Sequence, residues 1–229
     1  MQTLVTGANR GLGLALVQAL LARGDRVVAC CRQPGRATAL NTLAGEYPNR
    51  LHLLPLDLAK PASIRELAAE LGLVCESLDL LINNAGLLVS GERFGTLDPE
   101  TLEASFRTNA MGPLLLTEAL AERLADGARV LNLSSVMGSI SQAAEFRAPS
   151  YCISKAAQNM ATVQLARALA PRGIAVAAVH PGWVQTDMGG PRATVSAEDS
   201  AAGILALAGR LSVEDSGSFL DYLGNPLAW

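Results

Sequence analysis

Strand-like segments alternate with helix-like segments along almost the whole chain, and this alternation restricts the fold more than any other feature. Helical spacing indicates helices after residue 13 and at residues 61–71, 99–124, 150–169 and 197–207, with a kink at Gly112-Pro113. Short apolar runs indicate strands at residues 2–5, 26–31, 51–56, 78–82, 129–133, 174–179 and 218–222. Such alternation is typical of a parallel sheet covered on both faces. We therefore expect one doubly wound α/β domain over residues 1–229, with a mostly parallel seven-stranded sheet and helices on both faces.

A glycine-rich segment lies where the first strand meets the first helix. It reads Thr6-Gly7-Ala8-Asn9-Arg10-Gly11-Leu12-Gly13, and its glycines allow a tight turn beside a bulky ligand. The first N–H groups of a helix lack intrahelical acceptors and lie at the positive end of the helix dipole, so they bind phosphate groups. The spacing G-x-x-x-G-x-G differs from the common dinucleotide pattern G-x-G-x-x-G, and an ordinary glycine-rich turn is the alternative.

Polar or glycine-rich residues also follow the later strands. They are Arg32, Asp57, the run 83–86, the pair 134–135 and the pair 181–182. In sheets of the Rossmann type, ligands bind outside the carboxyl ends of the parallel strands. We expect these residues to meet the glycine loop at one edge of the sheet and to form one site.

The composition argues against several classes of function. The formal net charge is −3 and no basic run occurs, so a nucleic-acid partner is not expected. No stretch resembles a membrane span, and the first strand leaves no room for a signal peptide, so we expect a cytoplasmic protein without a membrane partner. The 4 cysteines, expected to be reduced thiols, and the 2 histidines show no metal-ligand spacing, and no metal site is expected.

The motifs occur in an order and spacing that resemble the short-chain dehydrogenase/reductase family over nearly the full length of the chain. They are the glycine loop, Asp57-Leu58, Asn83-Asn84-Ala85-Gly86, Asn109, Ser135, Tyr151-Cys152-Ile153-Ser154-Lys155 and Pro181-Gly182. The short length and the run 186–190 resemble the C-factor-like and carbonyl-reductase-like members. Ser135 precedes Tyr151 by more residues than in many members, so the loop 137–149 is expected to carry a short insertion that overhangs the pocket.

Tyr151 and Lys155 form the expected acid–base pair. They are four residues apart on a predicted helix and therefore share a face. An ammonium about 4 Å away, at an effective dielectric of ~20, favours the phenolate by roughly 4 kcal/mol, which lowers a phenol pKa of about 10 to roughly 7. On this hypothesis Tyr151 protonates a substrate carbonyl as hydride arrives, and the resemblance implies that Lys155 also binds the nicotinamide ribose. A surface pair without function is the alternative.

Two further residues complete the expected catalytic set. Ser135 follows a strand and would donate a hydrogen bond to the same carbonyl oxygen, although the neighbouring Ser134 is an alternative. Asn109 lies within a predicted helix, where asparagine is disfavoured. The resemblance implies that Asn109 disturbs the helix and holds a water molecule that links Lys155 to solvent. An exposed helical asparagine is the alternative.

Arginines predict which nicotinamide cofactor is used. Sheets that prefer NAD carry an acidic residue at the end of the second strand, but this chain has Cys31 there, followed by Arg32 and Arg36. A third arginine, Arg10, lies inside the glycine loop. Because a guanidinium suits a 2′-phosphate, we predict NADP(H) instead of NAD(H). Solvated surface arginines are the alternative.

The other expected cofactor-binding residues lie at the same edge of the sheet. Asp57 is expected to accept from the adenine amino group, or else to cap a helix. The resemblance implies that Val184 and Thr186 hold the carboxamide and the phosphates. Trp183, Met137 and Met188 are candidates for the substrate-pocket wall, although Trp183 also suits a core position. The full set is Gly7, Asn9, Arg10, Gly11, Leu12, Gly13, Arg32, Arg36, Asp57, Leu58, Asn83, Ala85, Gly86, Tyr151, Lys155, Pro181, Val184 and Thr186.

These patterns predict an NADP(H)-dependent oxidoreductase whose partner is a small-molecule carbonyl or alcohol. The expected reaction is reduction of an aldehyde, ketone or quinone to an alcohol, with Tyr151 as general acid. Two alternatives are a signalling or sensor protein that binds NADP(H) with little turnover, and a structural scaffold with an empty site. The resemblance also implies a homodimer or homotetramer.

Overall fold

One parallel sheet of seven strands forms the centre of the computed structural model, which describes residues 1–229. The strand order is β3-β2-β1-β4-β5-β6-β7, and every neighbouring pair is parallel. Because the order reverses between β1 and β4, their carboxyl ends flank the switch point where ligands bind in such sheets. The strands are β1 (Gln2–Thr6), β2 (Arg26–Cys31), β3 (Leu51–Pro55), β4 (Leu78–Asn83), β5 (Leu124–Leu133), β6 (Ala175–His180) and β7 (Phe219–Asp221).

Seven helices cover the two faces of the sheet and enclose two apolar cores. Val5 and Ala29 belong to a core of 30 residues that the sheet shares with α1, α2 and α7. Leu4 and Val28 point the other way, into a core of 20 residues shared with α3, α5 and α6, because successive strand residues alternate between faces. The helices are α1 (Gly11–Ala22), α2 (Thr38–Glu46), α3 (Pro61–Val74), α4 (Pro99–Phe106), α5 (Gly112–Ala119), α6 (Pro149–Leu169) and α7 (Ala197–Arg210). The predicted doubly wound α/β fold is confirmed.

The segment 99–124 differs from the single kinked helix that was predicted. A π-helical turn covers Arg107–Met111 and separates α4 from α5. The irregularity therefore precedes the Gly112-Pro113 pair, which opens α5. A Cβ added to Gly112 would lie 2.7 Å from the Leu58 carbonyl oxygen, so this glycine permits close packing of α5 on the segment after β3. The helix also ends earlier than predicted, and β5 already begins at Leu124.

Helix α2 was not predicted from the sequence. Only Leu40 and Leu43 of its nine residues are buried, so its apolar side chains form no long periodic pattern. Helix α6 begins one residue before the predicted position, at Pro149, and ends at the predicted Leu169. The helices are all too short or too polar to span a bilayer.

Candidate active site

The glycine loop after β1 turns tightly against the segment that follows β4. Gly7 has a φ of +65°, in the left-handed region that favours glycine. A Cβ added to Gly7 would lie 2.8 Å from the Ala85 Cα, and one added to Gly13 would clash with the Gly7 carbonyl oxygen. Asn84 fixes the turn, because its Nδ2 donates to the Thr6 carbonyl at 2.8 Å. The glycines therefore bring the first turn of α1 close to the end of β4.

Helix α1 presents backbone donors that have no acceptor within the protein. The first N–H of this helix to find an acceptor is that of Leu14, which donates to the Arg10 carbonyl at 3.3 Å. The helix has no side-chain cap and no acidic residue in its first turn. The N–H groups of Gly11, Leu12 and Gly13 are thus available to an anion at the positive end of the helix.

The segment after β6 packs over this loop. A Cβ added to Gly11 would lie 3.1 Å from the Thr186 methyl carbon. Val184 is buried and pairs with Val195 in an isolated bridge, and the Ser200 hydroxyl donates to the Pro181 carbonyl at 2.6 Å. These contacts place Pro181, Val184 and Thr186 at the same edge of the sheet as the glycine loop.

The charged residues near the ends of β1, β2 and β3 differ in their pairing. Arg32 and Arg36 are exposed, and neither forms an ion pair. Arg10, by contrast, pairs with Asp187 of the segment after β6. Asp57 accepts from the Ala59 N–H at 3.2 Å and is not the N-cap of α3, because Lys60 holds that position. Leu58 beside it is buried.

Tyr151 and Lys155 lie together on the buried face of α6. The Lys155 Nζ is 5.6 Å from the centre of the Tyr151 ring. It donates to the Leu133 carbonyl at 2.6 Å and to the Gln158 Oε1 at 2.8 Å. The strand end and the helix therefore hold the ammonium beside the tyrosine, as the four-residue spacing predicts.

The direction of the Tyr151 pKa shift is the opposite of the one predicted. Burial raises the pKa of Tyr151 to about 12, because an apolar environment disfavours the phenolate, and a hydrogen bond with the Ser135 side chain opposes this only in part. Burial also lowers the pKa of Lys155 to about 7. The sequence argument placed a fully charged ammonium near the phenol and neglected the cost of burying both groups.

Two adjacent serines follow β5 and have different partners. The Ser134 hydroxyl donates to the Asn159 Oδ1 at 2.5 Å, inside the protein. Ser135 begins a short 3₁₀ turn over Val136–Gly138, and its hydroxyl accepts from the Met137 N–H at 3.1 Å. The Ser135 side chain also lowers the pKa of Tyr151, against the larger effect of burial. Ser135, unlike the inward-bonded Ser134, is therefore grouped with the tyrosine.

Asn109 lies in the π-helical turn and connects it to two other elements. Its Nδ2 donates to the Leu87 carbonyl at 2.7 Å and to the Ser154 hydroxyl at 2.9 Å, while its Oδ1 accepts from the Leu87 N–H at 2.7 Å. A Cβ added to Gly86 would lie 3.6 Å from the Asn109 Oδ1 and 3.9 Å from the Lys155 Nζ. Asn109 is therefore fully buried, in contrast to the exposed alternative, and lies close to the lysine.

The Asn83 side chain lies in the interior instead of lining the cleft. It is fully buried, and its Nδ2 donates to the Asn132 Oδ1 at 2.8 Å and to the Thr117 hydroxyl at 3.2 Å. Asn83 was expected to line the cofactor, but the whole residue is enclosed below the site. Its expected place in the cofactor-binding set is therefore corrected to a structural role, because the side chain of this last residue of β4 points into the core.

Comparison with known protein families decides the classification. The family model described as short chain dehydrogenase matches residues 2–196 of this chain. The chain belongs to the short-chain dehydrogenase/reductase family. The membership confirms the resemblance, and it confirms that the chain is an oxidoreductase.

Several known proteins are similar to this short-chain dehydrogenase/reductase over most of its length. The C-signal protein of Myxococcus xanthus is 43% identical over 154 residues, which are 66% of this chain and 93% of that protein. The structure of an NADPH-bound carbonyl reductase from chicken fatty liver has a TM-score of 0.94 and 39% identity, and covers 100% of this chain and 98% of its own. The carbonyl reductase Sniffer of D. melanogaster has a TM-score of 0.92 and 32% identity, with 100% and 99% coverage.

The site of this short-chain dehydrogenase/reductase fits a phosphorylated dinucleotide. The unpaired N–H groups of α1, next to glycines that exclude a Cβ, suit a pyrophosphate. Arg32 and Arg36, exposed and without acidic partners, suit a further phosphate beside β2. Asn9 and Arg10 are exposed beside the same loop.

Sequence reasoning missed two residues that shape the site. Gln158 accepts from Lys155, and Glu92 binds Ser150 at the start of α6. Gln158 had a readable signal, because it is a polar residue on the lysine's face of the helix, three positions after it. Glu92 had none, because it reaches α6 from a distant loop.

Proposed function

We propose that this protein reduces the carbonyl group of an aldehyde, ketone or quinone to an alcohol. The observation that carries the proposal is the convergence of Ser135, Tyr151, Lys155 and Asn109 beside a glycine cradle with free backbone donors. A protein that only bound a nucleotide would have no need of a buried acid beside a buried amine.

The cofactor is NADP(H). The NADPH-bound carbonyl reductase from chicken liver has the same fold over the full length of this chain. Cys31, and not an acidic residue, ends β2, and the guanidinium groups of Arg32 and Arg36 that follow are free to bind the 2′-phosphate. When bound, NADPH supplies the hydride for the reduction.

Tyr151 is the proposed general acid. Because burial raises its pKa to about 12, the phenol remains protonated at neutral pH and donates its proton to the carbonyl oxygen as charge develops there. Ser135 donates a hydrogen bond to the same oxygen. The Lys155 ammonium stabilises the phenolate that remains and binds the ribose hydroxyls. Asn109 holds the 86–87 turn against α6. The family resemblance implies that Asn109 also binds a water molecule.

The substrate is proposed to be largely apolar around its carbonyl group. Phe94, from the segment between β4 and α4, and Phe146, just before α6, pack edge to face with ring centres 5.7 Å apart. Both rings are exposed, as are Trp183 and Met188 of the segment after β6. We propose that these side chains form an apolar mouth for the cleft, which an apolar or aromatic carbonyl compound would bury.

Replacement of Arg32 tests the cofactor assignment. Arg32→Ala should weaken NADPH binding about 10- to 100-fold, because a charge-assisted contact to the 2′-phosphate is lost, and should leave NADH binding unchanged. Fluorescence titration of each cofactor with the wild-type and variant proteins measures both affinities. Equal effects on NADPH and NADH, or no effect on either, would contradict the role of this arginine.

A second candidate is a signalling protein that binds NADP(H) with little turnover. The similarity to the C-signal protein of Myxococcus xanthus favours it. NADPH oxidation measured with a panel of aldehydes, ketones and quinones separates the two candidates. Turnover with at least one carbonyl compound supports the enzyme, whereas NADPH binding with no turnover on the whole panel favours the sensor.

For the assembly we propose a homodimer or homotetramer that pairs through the long helices. Phe106 of α4 and Ile153 and Met160 of α6 are exposed apolar side chains on two helices that pack against each other. Burial of these side chains against a second copy would remove apolar surface from water. A cytoplasmic location stays a prediction.

A further inference from the structure

A glutamine one helical turn after Lys155 holds the lysine ammonium inside the protein. Gln158 lies three residues after Lys155 on α6, so the two side chains share a face. The distance from Lys155 Nζ to Gln158 Oε1 is 2.8 Å. Lys155 is only 3% exposed to solvent, and Gln158 is 0% exposed. The contact is therefore shielded from water.

The Gln158 side chain has one hydrogen-bonding group, its Nε2, that lacks a partner. Its Oε1 must face the ammonium, because the ammonium can only donate, and its Nε2 is then buried without an acceptor. A buried amide without a partner destabilises the folded state, and an apolar side chain of similar size would avoid that cost. The hydrogen bond that Gln158 Oε1 accepts from Lys155 offsets this cost.

The surroundings of Lys155 supply no opposite charge. No acidic side chain forms an ion pair with it, and Tyr151 is the titratable group that faces it. The groups that lie near it from the other elements are uncharged: the Leu133 carbonyl at the end of β5, Gly138 of the 3₁₀ turn and Gly86 after β4. The Leu133 and Gln158 oxygens are therefore the acceptors that stabilise the ammonium.

We propose that Gln158 is a positioning residue that keeps Lys155 protonated and aligned beside Tyr151. It acts through Lys155 and touches neither substrate nor cofactor. An ammonium has three donors, and two of them are directed at Leu133 and Gln158, which leaves the third for the cleft. The catalytic consequence rests on the proposed function, but the protonation of Lys155 is measurable without turnover.

The chain offers a direct test, because Lys60 and Lys155 are its only lysines. NMR of the cofactor-free protein labelled with ¹³C-lysine should therefore show two Cε signals, and the exposed Lys60 is an internal reference. In the wild type, Lys155 should titrate at a pH of about 7. In Gln158→Leu the midpoint should fall by about one unit or more, because the ammonium loses an acceptor, and in Gln158→Glu it should rise by about one unit or more.

Gln164→Leu is the matched control. It makes the same substitution on the exposed face of the same helix and should leave both lysine signals unchanged. An unchanged Lys155 midpoint in a folded Gln158→Leu protein would overturn the proposal. If Gln158→Leu does not fold, the failure of Gln158→Glu to raise the midpoint would overturn it.

The pH dependence of catalysis gives the second readout. The value of kcat/KM for NADPH, which reports on the free enzyme, should fall as the pH rises through the Lys155 midpoint. In Gln158→Leu this fall should occur at a lower pH, and the displacement should equal the change in the Lys155 midpoint that NMR measures. A shift in the NMR midpoint without a shift in the rate profile would contradict a role in the reaction. A wild type without turnover would remove the proposed function, while an NMR shift would still support the role of Gln158 in holding Lys155.

Discussion

At the scale of single residues, burial determines the chemistry of the site. In an exposed Tyr–Lys pair, the ammonium would lower the pKa of the phenol. Here burial raises the pKa of Tyr151 to about 12 and lowers the pKa of Lys155 to about 7. The tyrosine therefore stays protonated through the physiological range, which suits a proton donor. The lysine loses its charge as the pH rises above about 7, so the stabilisation that it gives to a phenolate is fully present only at lower pH.

The two adjacent serines give a prediction with opposite outcomes at neighbouring positions. Ser135→Ala should lower kcat about 10²- to 10³-fold, because it removes a donor to the developing oxyanion, and should lower the free energy of unfolding by no more than the ~1 kcal/mol of a lost cap. Ser134→Ala should retain activity but lower the free energy of unfolding by ~1–3 kcal/mol, because the buried Asn159 Oδ1 loses its donor.

Steady-state kinetics and thermal unfolding of both variants check this pair. Each serine variant is the control for the other, because each loses one hydroxyl group at the end of the same strand. If Ser134→Ala lost turnover and Ser135→Ala kept it, the assignment of the catalytic serine would be reversed.

At the scale of elements, the start of α6 depends on a loop distant in sequence. The N-cap residue Ala148 provides no side-chain acceptor and has a left-handed backbone with a φ of +40°. Glu92, from the segment between β4 and α4, accepts from the Ser150 N–H at 3.3 Å and from the Ser150 hydroxyl. A carboxylate at a helix N-terminus also interacts favourably with the helix dipole. The helix that carries Tyr151 is thus capped from outside.

Replacement of Glu92 should loosen both the helix start and the pocket wall. Glu92→Ala should lower the free energy of unfolding by ~1 kcal/mol, as loss of a helix cap does. It should also raise KM for the carbonyl substrate, because the loop that carries Phe94 is released from α6. Glu145→Ala is the control, since that side chain is exposed and has only an ion pair of 3.7 Å with Arg147. Unchanged stability and KM in Glu92→Ala would show that this contact does not hold the helix.

The elements also show how far the sequence alone leads. The glycine loop, the strand segments that end at the site and the Tyr151–Lys155 face were predictable, because turn chemistry and periodicity are local properties. Helix α2 was not predictable, since it buries only two leucines. The π-helical turn and the inward direction of Asn83 depend on packing with distant residues, and the pKa of Tyr151 depends on burial. None of these three features is encoded in residue spacing.

At the scale of the whole molecule, the parallel sheet collects the site from distant parts of the chain. The glycine loop follows β1, Gly86 follows β4, Ser135 follows β5 and Thr186 follows β6, and all lie at the carboxyl edge. Two apolar cores pack against the sheet that carries this edge, one on each face. The reacting groups are therefore positioned before any ligand binds, which favours catalysis by orientation.

The activity of Tyr151→Phe tests the central claim most directly, because this substitution removes the hydroxyl and keeps the ring. Turnover is measured as NADPH oxidation with a carbonyl substrate that the wild type reduces, and NADPH affinity is measured on the same preparations. We predict that kcat falls about 10²- to 10⁴-fold while NADPH binding is retained, because only the proton donor is lost. A Tyr151→Phe protein that binds NADPH and keeps most of its turnover would contradict the account.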